Sequence, residues 1–254
     1  MRIRLLMPSV ERPGPLQFSL SALIDDTVAI DTGGLPYLPS IAAQRRIAHV
    51  CLTHSHIDHV GGLPLFLDNV YHPDSPSPTI HASQSTWNCL EQDLFNDRIW
   101  PDLDRIAGDA FTFYHRQVVA ANRPFSAGPL QVTPIPLAHV VPTLGYAVTG
   151  NSGAALFAWD TAPFAELADI IAAIPDLRML FIDASFPNRL QWLADKSQHF
   201  TPQHLQRLVE QLPRSLRVVA VHLKPAVHEE VAAELEQLPL SNLEIANRDA
   251  VYEV

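Results

Sequence analysis

The 254-residue sequence predicts an α/β fold, a mixed sheet with helices outside it. Three observations carry that expectation. Short apolar runs of strand length, such as Val28-Ala29-Ile30, Met179-Leu180-Phe181-Ile182 and Val218-Val219-Ala220-Val221, recur along the whole chain. Segments with helical spacing of apolar residues separate them, most clearly in the C-terminal third. No low-complexity linker and no repeat of solenoid period divides the chain, so 1–254 is expected as a single domain, compatible with two similar β-rich halves.

Residues 3–7 read as a strand, followed by an irregular Pro-rich loop at 8–15. Stretches 21–24 and 27–30 form a hairpin around the acidic turn Asp25-Asp26, and the second strand ends at Asp31-Thr32-Gly33-Gly34. A short helix over 40–46 precedes the buried strand 48–52. Residues 62–68 suit a helix with Pro64 in its first turn. After a Pro/Ser-rich loop at 72–78 comes a strand at 79–81, then a helix over 83–96 with Trp87, Leu90 and Leu94 on one stripe. Strand-like runs follow at 111–114, 117–120, 130–135, 144–149 and 154–159. Helices are expected over 162–174, 190–195, 202–212 and 228–237. They alternate with buried strands at 179–182 and 218–221, and short strands at 243–246 and 250–254 close the chain.

Composition narrows the functional classes. The hydrophobic content of 47% and charged content of 17% are ordinary globular values. A net charge of −10 with only 17 Lys plus Arg argues against a grip on long nucleic acid, while leaving a small anionic substrate open. Two cysteines, Cys51 and Cys89, make no disulfide framework. The first residues are broken too early for a secretory segment, and no apolar run reaches the roughly 18 residues of a membrane span. The expectation is a cytoplasmic enzyme; Trp87, Trp100, Phe111, Phe113 and Tyr114 fit core, pocket or dimer surface alike, which leaves a homodimer open.

The chemistry concentrates at His54-Ser55-His56-Ile57-Asp58-His59, an H-x-H-x-D-H pattern of imidazole and carboxylate groups suited to zinc or a similar divalent ion. Residues two apart lie on opposite sides of a helix, so His54 and His56 can share an ion only on looped chain. Several buried strands also end in a residue able to bind or orient a metal: Asp31, His54, Asp160, Asp183 and His222. Loops beyond strand ends are where sites are usually built. His139, Asp160 and His222 are the natural suppliers of further ligands. His54, His56 and His139 would bind one ion, Asp58, His59 and His222 the other, and Asp160 would bridge them. Asp31 and Asp183 would orient ligands from behind. A bridging hydroxide would be the nucleophile.

His54-x-His56-x-Asp58-His59, His139, Asp160-Thr161 and His222 resemble the ordered ligand set of the metallo-β-lactamase superfamily. The resemblance implies a four-layer αββα sandwich with two metal ions, zinc first and manganese or iron accepted by the same ligands. Asp160 stands where glyoxalase II and ribonuclease Z types carry a bridging Asp, which disfavours antibiotic hydrolysis. A later layout, Ser185-Phe186-Pro187-Asn188, then His199-Phe200-Thr201-Pro202, then His222-Leu223-Lys224-Pro225, is similar to class II cyclic-nucleotide phosphodiesterases. That similarity implies hydrolysis of a 3′,5′-cyclic nucleotide, cAMP or cGMP.

His199 is the candidate general acid, beside Asp58 and Asp160 as the catalytic set. Lys224, Thr201 and Asn188 are candidate substrate contacts. The alternatives are a ribonuclease Z-like nuclease, a thioester or lactone hydrolase using the same nucleophile, and a metal-binding module without turnover.

Overall fold

The computed structural model of the chain describes residues 1–6, 19–108, 111–247 and 250–254. The loop expected at 8–15 lies outside them. The described strands form two seven-stranded sheets. The first runs β14 (Val251–Glu253), β1 (Arg2–Leu6), β2 (Ser21–Ile24), β3 (Val28–Ile30), β4 (His49–Cys51), β5 (Thr79–Ala82), β6 (His115–Val118). The second runs β13 (Leu243–Ile245), β12 (Arg217–Val221), β11 (Leu177–Asp183), β10 (Gly153–Ala158), β9 (Thr143–Gly150), β8 (Leu130–Leu137), β7 (Phe125–Ala127).

The two sheets share one pairing sequence. From β1 to β6 the neighbours pair antiparallel twice and then parallel three times. From β8 to β13 the same order of signs appears. One more strand, β14 or β7, adds antiparallel at the outer edge of each series. The two β-rich halves suggested by the sequence are these sheets.

Alternation along the strands builds the layers. Ala22, Ile24, Val28 and Ile30 face a core between the sheets, where they meet Val132, Tyr146, Phe157, Phe181 and Val219. Leu23, Ala29 and Val50 point the other way, onto the helical side of the first sheet. In the second sheet Met179, Phe181, Val219 and Val221 face inward, while Leu180, Ile182, Val218 and Ala220 face outward. A period of two places successive side chains on opposite faces, so each strand feeds two cores.

Helices α1 (Ile41–Gln44), α2 (Ile57–Val60), α3 (Leu63–Val70), α4 (Gln84–Cys89) and α5 (Leu103–Ile106) precede the second sheet in sequence. Phe66 and Leu67 of α3 and Trp87 of α4 cover the first sheet. Helices α6 (Leu167–Ala172), α7 (Gln191–Ser197), α8 (Pro202–Val209) and α9 (His228–Glu236) belong to the second half. Leu205, Leu208 and Val231 are among the residues closing the core on its outer face. Each large side chain so buried contributes roughly 1.5–3 kcal/mol relative to exposure. The result is the expected αββα order. No helix among the described residues is long and apolar enough to cross a membrane.

Three local expectations are corrected. Residues 111–114 are not a strand: Tyr114 is buried and stacks on Trp87 at 5.6 Å between ring centroids, so the aromatic run serves packing. The strand begins at His115, and the three-residue edge strand β7 was not anticipated. The helix expected over 162–174 starts only at Leu167, because the Ala162 N–H donates to the Ala138 carbonyl at 2.7 Å and holds the chain extended there.

Candidate metal centre

The site lies where strands of both sheets end. Asp31, Asp160 and His222 each sit just past a strand, and all three have left-handed backbone (φ 56°, 59° and 63°). That region costs a non-glycine residue on the order of 1 kcal/mol, so packing must hold it. Asp31 and Asp160 follow the equivalent strands β3 and β10 of the two halves, and each precedes a threonine. The Asp31 loop grips the turn that carries Asp58 and His59. Thr32 donates to the His59 carbonyl through both N–H (2.9 Å) and Oγ1 (2.8 Å). Gly62 lies so close that a Cβ there would sit 2.1 Å from the Thr32 carbonyl oxygen. Only glycine permits that approach.

His54 and His56 occupy the loop after β4, whereas Asp58 and His59 lie on the one-turn helix α2 with His56 at its N-cap. The second sheet fixes this segment from across the sandwich. Tyr146 Oη donates to the Leu52 carbonyl at 2.8 Å, and Leu144 N–H to the Thr53 carbonyl at 3.0 Å. His139 is placed by the Asp160 loop through the Ala162-to-Ala138 bond and a 3.3 Å bond from Ala138 N–H to Thr161 Oγ1.

These constraints gather the side chains into overlapping groups whose potential ligand atoms lie within 4.8 Å of one another: His54, His56 and His139; Asp58, His59 and His222; His54, His59 and Asp160; and Asp160, Asp183, His199 and His222. His54, His59, Asp160 and His222 each belong to two of these groups, and Asp160 touches the other three. Its Oδ2 is 2.5 Å from His59 Nε2 and 3.5 Å from His54 Nε2, and its Oδ1 is 2.7 Å from His222 Nδ1. His222 Nε2 faces Asp58 Oδ2 at 3.3 Å, and His139 Nε2 faces His56 Nδ1 at 3.3 Å.

Four of these imidazoles have a partner on Nδ1, which leaves Nε2 for the cluster. His59 Nδ1 donates to Asp31 Oδ2 at 2.7 Å, and His54 Nδ1 pairs with Thr53 Oγ1 at 3.0 Å. The His139 Nδ1 meets the Gln198 carbonyl at 3.2 Å, and His222 Nδ1 meets Ser185 Oγ at 3.0 Å. Backing of this kind fixes ring orientation and tautomer in metal sites. Asp31, fully buried, accepts four donors: Thr53 N–H and Oγ1–H at 2.7 Å each, His59, and the Trp159 indole at 2.8 Å. Of the backing groups, the sequence reading included Asp31 and Asp183. It misses Thr53, Tyr146, Trp159 and Gln198, which carry no local signal, and it gives Ser185 no role although that residue opens the Ser185-Phe186-Pro187-Asn188 layout.

Charge is finely balanced in the chain on its own. Burial lowers His54, reinforced by the neighbouring His59. Burial also lowers His56 and His139. Burial works against a charged His59, but the Asp160 and Asp31 carboxylates outweigh it and raise its pKa well above the usual value. His222 is raised in the same way, chiefly by Asp160 against burial. Burial pushes Asp160 up, yet the His222 and His59 charges hold it well below the carboxylate range. The carboxylates thus favour positive charge at His59 and His222, where a bound divalent ion would take over that role.

The donor set fits such an ion. Eight buried side-chain nitrogen or oxygen atoms among the described residues have no hydrogen-bond partner, and four of them are here: His54 Nε2, His59 Nε2 and both oxygens of Asp160. Unsatisfied buried polar atoms are rare in native proteins and call for a ligand. Nitrogen and oxygen donors of this kind suit zinc and its neighbours.

The other candidates divide. His199, 6% exposed, donates from Nδ1 to Asp183 Oδ2 at 2.5 Å, and its ring lies 5.0 Å from that of His139 and 5.3 Å from that of His222. Lys224 Nζ is 3.2 Å from His222 Nε2, on the wall of a cavity of about 200 Å³ lined also by Leu20, Asp58 and Pro225. Thr201 is corrected, and Asn188 is partly engaged elsewhere. Thr201 is fully buried and caps α8 by accepting from His204 N–H. Asn188 Oδ1 accepts from Gln203 N–H in the first turn of the same helix. The Thr201 hydroxyl is buried at the helix start and out of reach of a substrate, whereas Asn188 has only its Oδ1 engaged there. His49 and His81, read as structural, pair at 3.2 Å away from the cluster, and burial lowers His81 to about 4.

A probable 3′,5′-cyclic-nucleotide phosphodiesterase of Yersinia pestis is 28% identical over 223 residues, 77% of this chain. The chain spans 62% of that relative's length. The unliganded yeast PDE1 structure superposes with a TM-score of 0.76 at 17% identity, covering 98% of each chain. The short form of human tRNase Z does so at 0.70 and 17%, covering 100% of this chain and 99% of the other. At these identities the structural likeness shows the fold alone. Residues 27–223 match the family described as the Beta-lactamase superfamily domain. With that match over most of its length and two stacked sheets bearing a His/Asp cluster at their strand ends, the chain belongs to the metallo-β-lactamase superfamily.

Proposed function

We propose that the chain is a metal-dependent phosphodiesterase acting on a small phosphodiester, foremost a 3′,5′-cyclic nucleotide such as cAMP or cGMP. His54, His56 and His139 would hold one divalent ion, Asp58, His59 and His222 a second, and Asp160 would reach both; zinc suits this set best, and manganese or iron would also be accepted. Two ions in this position supply an activated water and offset the charge of a phosphate.

The observation that carries the reading is His199. A cluster that only stores or senses metal needs no proton donor, yet here Asp183 holds an imidazole by Nδ1 beside the ligand groups. Cleaving a phosphodiester expels an alkoxide, which leaves far more easily when protonated. With Nδ1 engaged, Nε2 is the nitrogen left to deliver that proton. Lys224 Nζ, next to His222 on the cavity wall, would pair with a non-bridging phosphate oxygen.

The net charge of −10 supports a small substrate over transfer RNA. The Yersinia relative supports the cyclic nucleotide. A side-by-side assay of the metal-loaded protein on 3′,5′-cAMP, 3′,5′-cGMP, bis(p-nitrophenyl) phosphate, a precursor tRNA and an acyl thioester tests this. The expected result is turnover of the first three and none of the tRNA. Turnover confined to the thioester would end the phosphodiesterase reading, and none on any substrate with metal bound would favour the non-catalytic module.

A further inference from the structure

We infer that Ser185 is a positioning residue that frees the carboxylate of Asp160 for metal by accepting the His222 Nδ1–H hydrogen bond on its own hydroxyl oxygen. This rests on the two-ion reading above and adds a residue to it. Asp160 Oδ1 is the nearer acceptor, 2.7 Å from His222 Nδ1 against 3.0 Å for Ser185 Oγ. Direction reverses that order. Ser185 Oγ lies where a ring N–H of His222 can donate, whereas the nearer Asp160 Oδ1 makes no well-aligned hydrogen bond with that nitrogen. Hydrogen bonds weaken steeply off axis, so the hydroxyl, not the carboxylate, is the acceptor.

The hydroxyl also holds the backbone. Ser185 Oγ–H donates to the His222 carbonyl at 3.1 Å, so one side chain clamps both the ring and the main chain of a residue whose φ is +63°. Its own position is fixed in turn. Ser185 N–H donates to Asp183 Oδ1 at 2.9 Å, and the Ser185 carbonyl accepts from Lys224 N–H at 3.2 Å. The residue is fully buried, so water cannot replace the hydroxyl. The consequence is a division of labour: Nδ1–H to Ser185, Nε2 toward Asp58 and His59, and both oxygens of Asp160 unclaimed by protein donors. Without the hydroxyl, the His222 N–H has only Asp160 Oδ1 within reach. A small tilt of the ring would then make that carboxylate a proton acceptor in competition with metal.

The test compares wild type with Ser185→Ala, each zinc-loaded and titrated with a chelator while bound metal is counted. Wild type is expected to hold two zinc ions. Ser185→Ala is expected to release zinc at roughly 10–100-fold lower chelator, the usual cost of losing such a backing group. The metal-free forms should melt within a few degrees of each other, which separates positioning from a general loss of structure. Nitrogen-15 spectra of the zinc-loaded wild type give a second readout that needs no variant, with His222 expected to be protonated at Nδ1 and not at Nε2. Two zinc ions held equally tightly in both proteins, or a proton on Nε2, would overturn the role of Ser185 and leave the two-ion site standing. A wild type that binds no zinc would overturn the site itself and this inference with it.

Discussion

Asp160→Asn is expected to lower bound metal from two ions per chain to one or fewer and to cut kcat/KM by more than about 100-fold. A residue acting from behind a ligand typically costs 10–100-fold, so the shared carboxylate should exceed the upper end of that range. The substitution keeps shape and removes charge. Asn tolerates the left-handed backbone that Asp160 adopts at φ 59°, so the loop that places His139 should survive. What is lost is the oxygen pair that His54, His59 and His222 surround. Metal analysis beside steady-state kinetics checks the outcome, and retention of both ions with near-normal kcat/KM would remove Asp160 from the centre.

His199→Ala separates proton delivery from metal binding. We expect kcat on 3′,5′-cAMP to fall about 10²–10⁴-fold, the range for a lost general acid, with metal content unchanged and KM within a few-fold. Bis(p-nitrophenyl) phosphate should be affected far less, because nitrophenolate leaves without protonation. The variant should fold: Asp183, fully buried, still accepts at Oδ1 from Ser185 N–H and Phe200 N–H. Equal losses on both substrates would mean that His199 positions something and does not donate the proton.

What the sequence made legible follows from where the information sits. The set His54, His56, Asp58 and His59 is compressed into six positions, so the ligand types announce themselves. Asp31, Asp160 and His222 are legible because an apolar run stops abruptly at each. The backing groups are not, because their meaning is tertiary. Trp159 donates to Asp31 across a separation of 128 residues, and Tyr146 reaches Leu52 across 94. Both read as ordinary aromatic residues of a buried strand. Ser185 is visible as the first residue of a motif, but its role is not, until the chain brings His199 and His222 to either side of it.

The misjudged elements have a similar cause. Residues 111–114 had the aromatic composition of a strand, but β-propensity expresses packing and not a backbone preference, and Tyr114 packs on a helix. The strand β7 is three residues at a sheet edge, too short to show alternation. Thr201 sits in a stretch resembling a phosphodiesterase layout, yet its buried hydroxyl oxygen accepts from a first-turn N–H of α8, a duty that sequence alone cannot distinguish from substrate contact.

A pair of divalent ions at the strand ends of the two sheets can be seen by anomalous X-ray diffraction from zinc-loaded crystals, which counts the ions and places each one. Two peaks per chain are expected, one among His54, His56 and His139 and one among Asp58, His59 and His222, with Asp160 between them. A single peak, or peaks away from Asp160, would contradict the two-ion site.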